Sequence, residues 1–311
     1  MREAPADLRD ADVVTLLRDA WDLPADSVEH LPWGFGAWHW RAAEAAGRCW
    51  FVTADRLSRP ERQDQLDATY GAARELFDRG LEFVVPTVPA TAGPLTQRLG
   101  GYAISVTEWL EGDRHTGELT GPGAEQTMTM LARLHSEQPP SGTLVWDHAL
   151  TDRAYLEGLA AASEQTWSGG PLSAEARDQV RAHLARIPVW IARYDARVRT
   201  ALATRAGWVA THGEPGPHNQ IVTARGRRWV DWESLRVAPR ERDLTDLART
   251  AGRIPGETTA DPDLLEMFDL RWRLDEIAAF SAWLRGPHTG TESDRVALGG
   301  LVEELTRPDW L

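Results

Sequence analysis

Lysine is missing from this sequence, so all 34 basic residues among its 311 are arginines. Every positive side chain is therefore a guanidinium, a wide planar fork rather than the compact point charge of an ammonium group. Cysteine is almost missing as well, since Cys49 is the only one. A single cysteine excludes an internal disulfide and fits a reducing, cytoplasmic environment.

Long apolar runs are also missing. No stretch approaches the roughly 20 apolar residues that a membrane-spanning helix needs. Residues 1–5 do not begin the basic-then-apolar pattern of a secretion signal. We therefore expect a cytoplasmic protein with no membrane partner, long enough to form one large or two moderate domains.

The charge balance is strongly acidic. A net charge of −13 argues against a nucleic-acid partner, which would need a basic face. It favours a cationic ligand, because an acidic cleft concentrates cations. An acidic surface that serves only solubility explains the net charge equally well.

The segment with the densest polar chemistry is HGEPGPHN (residues 212–219), and it is followed by RGRR (225–228) and VDWE (230–233). Two short strands around a glycine turn predict a hairpin, which brings Asn219 and Asp231 together at its open end. An amide oxygen and a carboxylate form the oxygen-rich site that Mg²⁺ takes together with phosphate oxygens. The alternative is that both residues only cap turns.

Two further acids accompany this pair. Glu214 lies five residues before Asn219, where a base could receive a hydroxyl proton. Glu233 is expected on the same strand face as Asp231 and is a third candidate metal ligand. A base, then an asparagine, then a metal-binding aspartate is the order found in kinase-type phosphotransfer sites.

These motifs resemble the aminoglycoside phosphotransferase (APH) family, whose usual pattern is His-Gly-Asp-x-His-x-x-Asn and then Ile-Asp-[Phe/Trp]-[Asp/Glu]. The segment GFGAWHW (34–40) is most similar to its spectinomycin-phosphotransferase-like branch. The resemblance implies an α+β, two-lobe protein-kinase-like fold. Residues 1–112 would form the nucleotide-covering lobe, an antiparallel sheet plus a helix, and residues 113–311 a mostly helical lobe with the catalytic loop and acceptor pocket.

The resemblance also implies the activity, that of a small-molecule O-phosphotransferase. Such an antibiotic- or aminoglycoside-like kinase moves the γ-phosphate of ATP or GTP to a hydroxyl with the help of Mg²⁺. Family members phosphorylate antibiotics, choline, sugars and amino alcohols, so antibiotic resistance is one expected role among several. By the same resemblance, Glu214 is the catalytic base and His212 holds the catalytic loop.

On the nucleotide side, the resemblance places six residues at the cofactor: Gly34, Gly36, Thr53, Arg56, Glu108 and Leu110. Thr53 stands where the family has its phosphate-binding lysine, and it supplies no charge. Arg41 or Arg56 could substitute for that lysine. Glu75 matches the lysine's helix partner, although a solvated surface acid is the better interpretation. The paired glycines also occur in ordinary tight hairpins.

An acceptor pocket is expected between the catalytic loop and the C-terminal helices. The candidate contacts are Trp232, Asp269, Trp272 and Glu276, because acids beside aromatic rings suit an amine. A solvated helix face explains the same acids almost as well. Asp243 matches a family acid that braces the loop, and we interpret it as structural.

Several departures from the family pattern keep a second class open. Glu214 replaces the usual aspartate and reaches about 1.5 Å further, and Gly216 replaces the second histidine, while His218 follows two places later. With the lysine also missing, the rival hypothesis is an impaired pseudo-enzyme, a kinase-fold module that binds a metabolite or nucleotide. Nucleotide hydrolysis without an acceptor is a third possibility.

Overall fold

The computed structural model describes residues 1–59, 61–114, 120–251 and 259–309. The architecture is α+β, as predicted. The chain divides into unit 1, Met1–Trp146 with Trp208–Thr258, and unit 2, Asp147–Gly207 with Thr259–Leu311. The predicted lobes 1–112 and 113–311 divide the chain differently and stay a prediction.

Unit 1 contains an antiparallel sheet with the strand order β1-β2-β3-β5-β4. Its strands are β1 (Ser27–Leu31), β2 (Ala37–Ala43), β3 (Cys49–Arg56), β4 (Thr96–Leu99) and β5 (Tyr102–Glu108). Side chains alternate between the two faces along each strand. Val52 and Ala54 pack beneath helix α1 (Asp10–Trp21). The opposite face, which carries Thr53 and Asp55, meets helix α2 (Arg62–Asp78).

The apolar run FVVP (residues 83–86) predicts a strand, and this prediction is wrong. The structure has only a single isolated bridge there, between Val84 and Trp229. Pro86 lacks the N–H that a continuing ladder needs. The sheet is completed instead by β4, a short, largely polar strand that the hydrophobic pattern does not reveal.

The rest of unit 1 surrounds the candidate site. It consists of β6 (Gly112–Arg114), α3 (Gly121–Ser136), β7 (Val209–Thr211), β8 (Gln220–Thr223), β9 (Gly226–Trp229), β10 (Arg236–Ala238) and α7 (Glu241–Ala251). The predicted hairpin is confirmed as β8 and β9, which pair from Gln220 with Trp229 to Thr223 with Gly226. Strand β6, which crosses the predicted lobe boundary after residue 112, pairs with the other side of β8.

Unit 2 is helical. Its helices are α4 (Arg153–Glu164), α5 (Ser173–His183), α6 (Arg186–Ala203), α8 (Pro262–Arg285) and α9 (Glu292–Thr306). Helix α8 is the central one, with buried side chains along its whole length. Among the described residues of either unit, no helix has both the length and the apolar character to cross a bilayer.

Candidate active site

A buried carboxylate holds the loop of residues 212–219 in place. Asp243, in the first turn of α7, accepts hydrogen bonds from the backbone N–H groups of His212 (3.1 Å) and Gly213 (2.6 Å). It also lies 2.8 Å from Nε2 of His135 on α3. Although burial raises it, the His135 and backbone hydrogen bonds hold the pKa of Asp243 below its ordinary value. The predicted bracing role of Asp243 is confirmed.

His212 is fully buried and uses both ring nitrogens inside the loop. Its Nδ1 lies 3.2 Å from the backbone N–H of Glu214, which can only donate, so Nδ1 accepts. Its Nε2 therefore carries the proton and donates to the carbonyl of Val230 at 3.0 Å. Burial lowers the pKa of His212 to about 4. A neutral ring with no free nitrogen positions the loop and takes no part in proton transfer.

Glu214 follows a glycine whose conformation the site requires. Gly213 has φ 102°, and a Cβ there would collide with the guanidinium of Arg242. The Glu214 carboxylate accepts a hydrogen bond from the Ser234 hydroxyl at 3.2 Å. Its backbone carbonyl accepts one from Nδ2 of Asn219 at 3.0 Å. The loop thus ties the candidate base to the candidate metal ligand that follows it.

The hairpin places Asn219 and Asp231 at its open end, as the sequence predicts. The N–H of Val230 donates to the carbonyl of Asn219 at 3.0 Å, just beyond the last strand pair. Because Nδ2 of Asn219 is bound to Glu214, its Oδ1 is the atom available for a metal. Asp231 is left-handed, with φ 64°, a conformation that aspartate tolerates better than most residues.

The expected strand position of Glu233 is wrong. Strand β9 ends at Trp229, and the left-handed Asp231 turns the chain into a short 3-10 segment, Trp232–Ser234. Glu233 therefore leaves the hairpin rather than sharing a strand face with Asp231. Arg62, the first residue of α2, donates a hydrogen bond to its carboxylate.

Asp55 and Arg62, which the sequence analysis did not select, complete a group of charged side chains. We call this group the acidic cluster, and its other members are Glu214, Asp231 and Glu233. Asp55, on the same face of β3 as Thr53, lies 3.9 Å from the guanidinium of Arg62. Burial and the charge of Glu233 raise the pKa of Asp55 to about 8. The strand alternation that puts Asp55 beside Thr53 was the signal in the sequence, but no motif marked it.

Asp231 lies among these acids. Desolvation and the charges of Glu233, Glu214 and Asp55 raise its pKa well above the ordinary value, and Arg62 opposes them. As a residue Asp231 is exposed. Four acids that repel one another, opposed by the single guanidinium of Arg62, form a site that favours added positive charge.

This donor set fits Mg²⁺ completed by a ligand. Within the described ranges, no three His, Cys, Asp or Glu side chains are arranged to hold a metal ion by themselves. Mg²⁺ in nucleotide sites is usually held by one or two carboxylates, with phosphate oxygens and waters as the remaining ligands. Asn219 Oδ1 and the Asp231 carboxylate match that requirement.

An aromatic layer covers the sheet face next to Thr53. Phe51, Trp33 and Trp109 stack on one another, with ring centroids 6.0 to 6.4 Å apart. Nδ1 of His39 lies 3.2 Å from Oγ1 of Thr53. Burial lowers the pKa of His39 to about 3, so its neutral ring adds no charge at the position of the missing lysine. Arg41 lies over the Trp109 ring.

Gly34 and Gly36 form the turn before β2, and both have positive φ. Glu108 is the exposed last residue of β5, and Leu110 is half-buried just after it. The structure does not bring Arg56 together with Thr53. It lies on the opposite sheet face, hydrogen-bonded to the Tyr102 hydroxyl at 2.6 Å and 3.6 Å from Asp7.

Glu75 is the surface acid that the sequence favours, paired with Arg79 one turn later on α2. Trp232 is also explained without a ligand. It is buried, donates from Nε1 to the carbonyl of Trp229 at 2.8 Å and packs against His212.

The other acceptor candidates lie on α8 of unit 2. Asp269 is buried and accepts hydrogen bonds on both oxygens from Arg307, each at 2.9 Å. Trp272 is 37% exposed, and Glu276 follows it by four residues, on the same side of the helix. Only these last two remain candidates for a ligand contact.

Comparisons with known proteins show which sequences and structures this chain is similar to. The sequence profile of the phosphotransferase enzyme family matches residues 27–283. Protein StrN of Streptomyces griseus is 28% identical over 312 residues, which cover 92% of this chain and 89% of StrN.

Two solved structures share the fold. A spectinomycin phosphotransferase in complex with ADP and spectinomycin has a TM-score of 0.76 at 16% identity, covering 97% of this chain and 96% of its own. An amicoumacin kinase in complex with AMP-PNP, Ca²⁺ and its ligand has a TM-score of 0.55 at 12% identity, covering 96% and 93%.

Proposed function

Since this chain belongs to the phosphotransferase enzyme family, we propose that it moves the γ-phosphate of ATP or GTP to a hydroxyl of a small cationic acceptor. The observation that carries this proposal is the left-handed Asp231 beside Asn219 and Glu214 on a loop braced by Asp243. Phosphoryl transfer needs in-line positioning and charge stabilisation more than covalent chemistry. The braced loop, with Glu214 and Asn219, and the end of the hairpin, with Asp231, supply both.

Each of these residues has a definite task. Asn219 and Asp231 would hold Mg²⁺, which would neutralise charge on the nucleotide phosphates. Glu214 accepts a hydrogen bond from the acceptor hydroxyl and takes up its proton as the phosphate arrives. His212, neutral and buried, keeps Glu214 at the correct place by binding its backbone N–H.

Glu233 serves as an additional acid at the metal rather than as a strand neighbour of Asp231. Thr53 contributes a hydroxyl on the nucleotide side, and the turn of Gly34 and Gly36 covers the nucleotide. The segment around Glu108 and Leu110 offers backbone groups to the base. Arg56 has no part in this proposal because its guanidinium is bound on the other face of the sheet.

The acceptor is proposed to carry an amine. The chain's net charge of −13 supports this, as does the presence of an exposed Trp272 beside Glu276 on α8. Spectinomycin and amicoumacin are the ligands named for two proteins of the same fold. An aminocyclitol or amino-alcohol antibiotic is therefore the first class to test, and antibiotic resistance is the corresponding role. The cytoplasm, which supplies nucleoside triphosphate and Mg²⁺, is the proposed location.

The test has two stages. Calorimetric titration of ATP and GTP, each with and without Mg²⁺, is expected to show metal-dependent binding. A phosphorylation screen with aminocyclitols and amino alcohols should then show acceptor-dependent release of ADP or GDP. Nucleotide binding without turnover on any acceptor would assign the chain to the binding-module class. Release of nucleoside diphosphate at the same rate without acceptor would assign it to the hydrolases.

A further inference from the structure

The missing lysine is matched by a charged pair of opposite polarity on the same strand and helix, although at other positions than Thr53 and Glu75. A kinase carries a lysine on strand β3, which pairs with a glutamate on the following helix. Here β3 carries the acid, Asp55, and the following helix carries the cation, Arg62, with 3.9 Å between the charged atoms. The strand and the helix are the same two elements, but their charges are exchanged.

We infer that Arg62 is the phosphate-anchoring cation of this protein, an inference that rests on the proposed phosphotransferase function. Its guanidinium comes from the first turn of α2, lies against Asp55 and reaches Glu233, two residues after the candidate metal ligand Asp231. A planar fork bound by carboxylates is also suited to phosphate oxygens.

The neighbouring arginines are less suited to this role. Arg56 lies on the opposite sheet face. Arg41 lies over the Trp109 ring. Arg236 donates to the backbone carbonyls of Glu233 and Leu235 and to the Thr69 hydroxyl, which fixes it as a structural group.

Arg62 is also placed to exchange partners. Its side chain is 24% exposed, and that of Glu233 is 32% exposed, so a phosphate can reach the guanidinium from the solvent side. Asp55, in contrast, is buried and receives a second contact from the Tyr70 hydroxyl at 3.5 Å. Asp55 therefore keeps Arg62 in position, while Glu233 is the partner that a phosphate can replace.

The decisive experiment compares ligands that differ only in their phosphates. In Arg62→Gln, the affinity for ATP with Mg²⁺ should fall roughly 10- to 100-fold, the effect of losing one charge-assisted hydrogen bond. The affinity for adenosine should stay unchanged, because it carries no phosphate. Arg79→Gln is the matched control, since it removes an arginine of the same helix that pairs with the surface acid Glu75.

A second variant tests the exchanged polarity directly. Thr53→Lys, added to Arg62→Gln, returns the cation to the strand, on the same face as Asp55. It should recover most of the lost ATP affinity and leave adenosine binding as it was.

Several outcomes would overturn the inference. One is an unchanged affinity for ATP in Arg62→Gln. Another is an equal loss of affinity for ATP and for adenosine in that variant, together with a lower melting temperature. ATP affinity that stays low in the double variant would also count against it. Failure of the proposed function itself is recognised separately. In that case the wild-type protein binds neither ATP nor adenosine, and the titrations of the wild type show this before any variant is made.

Discussion

Ser234 donates a hydrogen bond from its hydroxyl to Oε1 of Glu214 at 3.2 Å. The glutamate is about one methylene, roughly 1.5 Å, longer than the aspartate usual in the family. Its terminal oxygen is nevertheless fixed, because the turn that contains Glu233 and Ser234 lies against it. A fixed carboxylate is a better base than a mobile one, since misplacement by about 1 Å can reduce a rate on the order of 100-fold.

Glu214→Gln is the first prediction. The variant should bind nucleotide as the wild type does and lose turnover by roughly 100-fold or more, because the amide cannot accept a proton. Ser234→Ala should reduce turnover less, since it removes one hydrogen bond to the carboxylate but keeps the carboxylate itself. Steady-state rates with the best acceptor of the screen are the measurement. Full activity in Glu214→Gln would end the assignment of Glu214 as base.

Asp231→Asn is the second prediction. Asparagine also tolerates a left-handed backbone, and it removes one of four mutually repelling carboxylates, so the melting temperature without metal should not fall. The Mg²⁺-dependent affinity for ATP should fall at least about 10-fold, or about 1.4 kcal/mol.

Asp22, the other left-handed non-glycine residue among those described, provides the control. It lies at the end of α1, away from the acidic cluster, and Asp22→Asn should change neither quantity. If Asp231→Asn unfolds the protein yet leaves metal-dependent affinity intact, the residue is structural.

The sequence predicted the hairpin and the loop because their signals are local. The glycine turn sets the register of β8 and β9, and that register alone brings Asn219 to the open end beside Asp231. The helices of unit 2 can be predicted for a similar reason, since periodic apolar positions mark a helix without knowledge of its neighbours.

The acidic cluster could not be found in this way. Asp55 and Arg62 come from a strand and a helix separated by a loop, and Glu233 is 171 residues from Arg62 in the chain. No local pattern records a contact over that separation. Glu233 was assigned to a strand face because a strand was assumed to continue, and the left-handed Asp231 that ends it has no distinctive neighbour in the sequence.

The third prediction concerns stability at low pH. The folded state holds the pKa of His212 at about 4, whereas the unfolded chain has the ordinary value of about 6.5. Between these values the unfolded state binds the proton more readily, so acidification favours unfolding. The contribution is present above about pH 6.5 and is lost as the pH falls to about 4, with a size on the order of 3 kcal/mol.

Urea unfolding at pH 7 and pH 5 measures this effect as the difference between wild type and His212→Asn. The variant should be less stable at pH 7 but should lose less of its stability on acidification. His183→Asn, on α5 of unit 2, is the control for a general effect of removing an imidazole. Parallel loss of stability in wild type and His212→Asn would show that other groups cause the pH dependence.

The last prediction is that binding of Mg²⁺ with ATP releases protons near neutral pH. Burial and the charge of Glu233 raise the pKa of Asp55 to about 8, so at pH 7 the metal-free protein holds a proton that Asp55 shares with the neighbouring acid Glu233. A dication bound at Asp231 favours the charged form of each nearby acid, so that proton must leave. Affinity for Mg²⁺ with ATP should therefore increase as the pH rises from about 7 to about 9.

Calorimetry in buffers with different ionisation heats counts the released protons. Asp55→Asn should reduce this count. Asp12→Asn, a change at an exposed partner of Arg9, is the control and should leave the count unchanged. An equal proton count in wild type and Asp55→Asn would place the titrating group elsewhere, and a binding constant independent of pH would show that the acids around Asp231 are already ionised before the cation arrives.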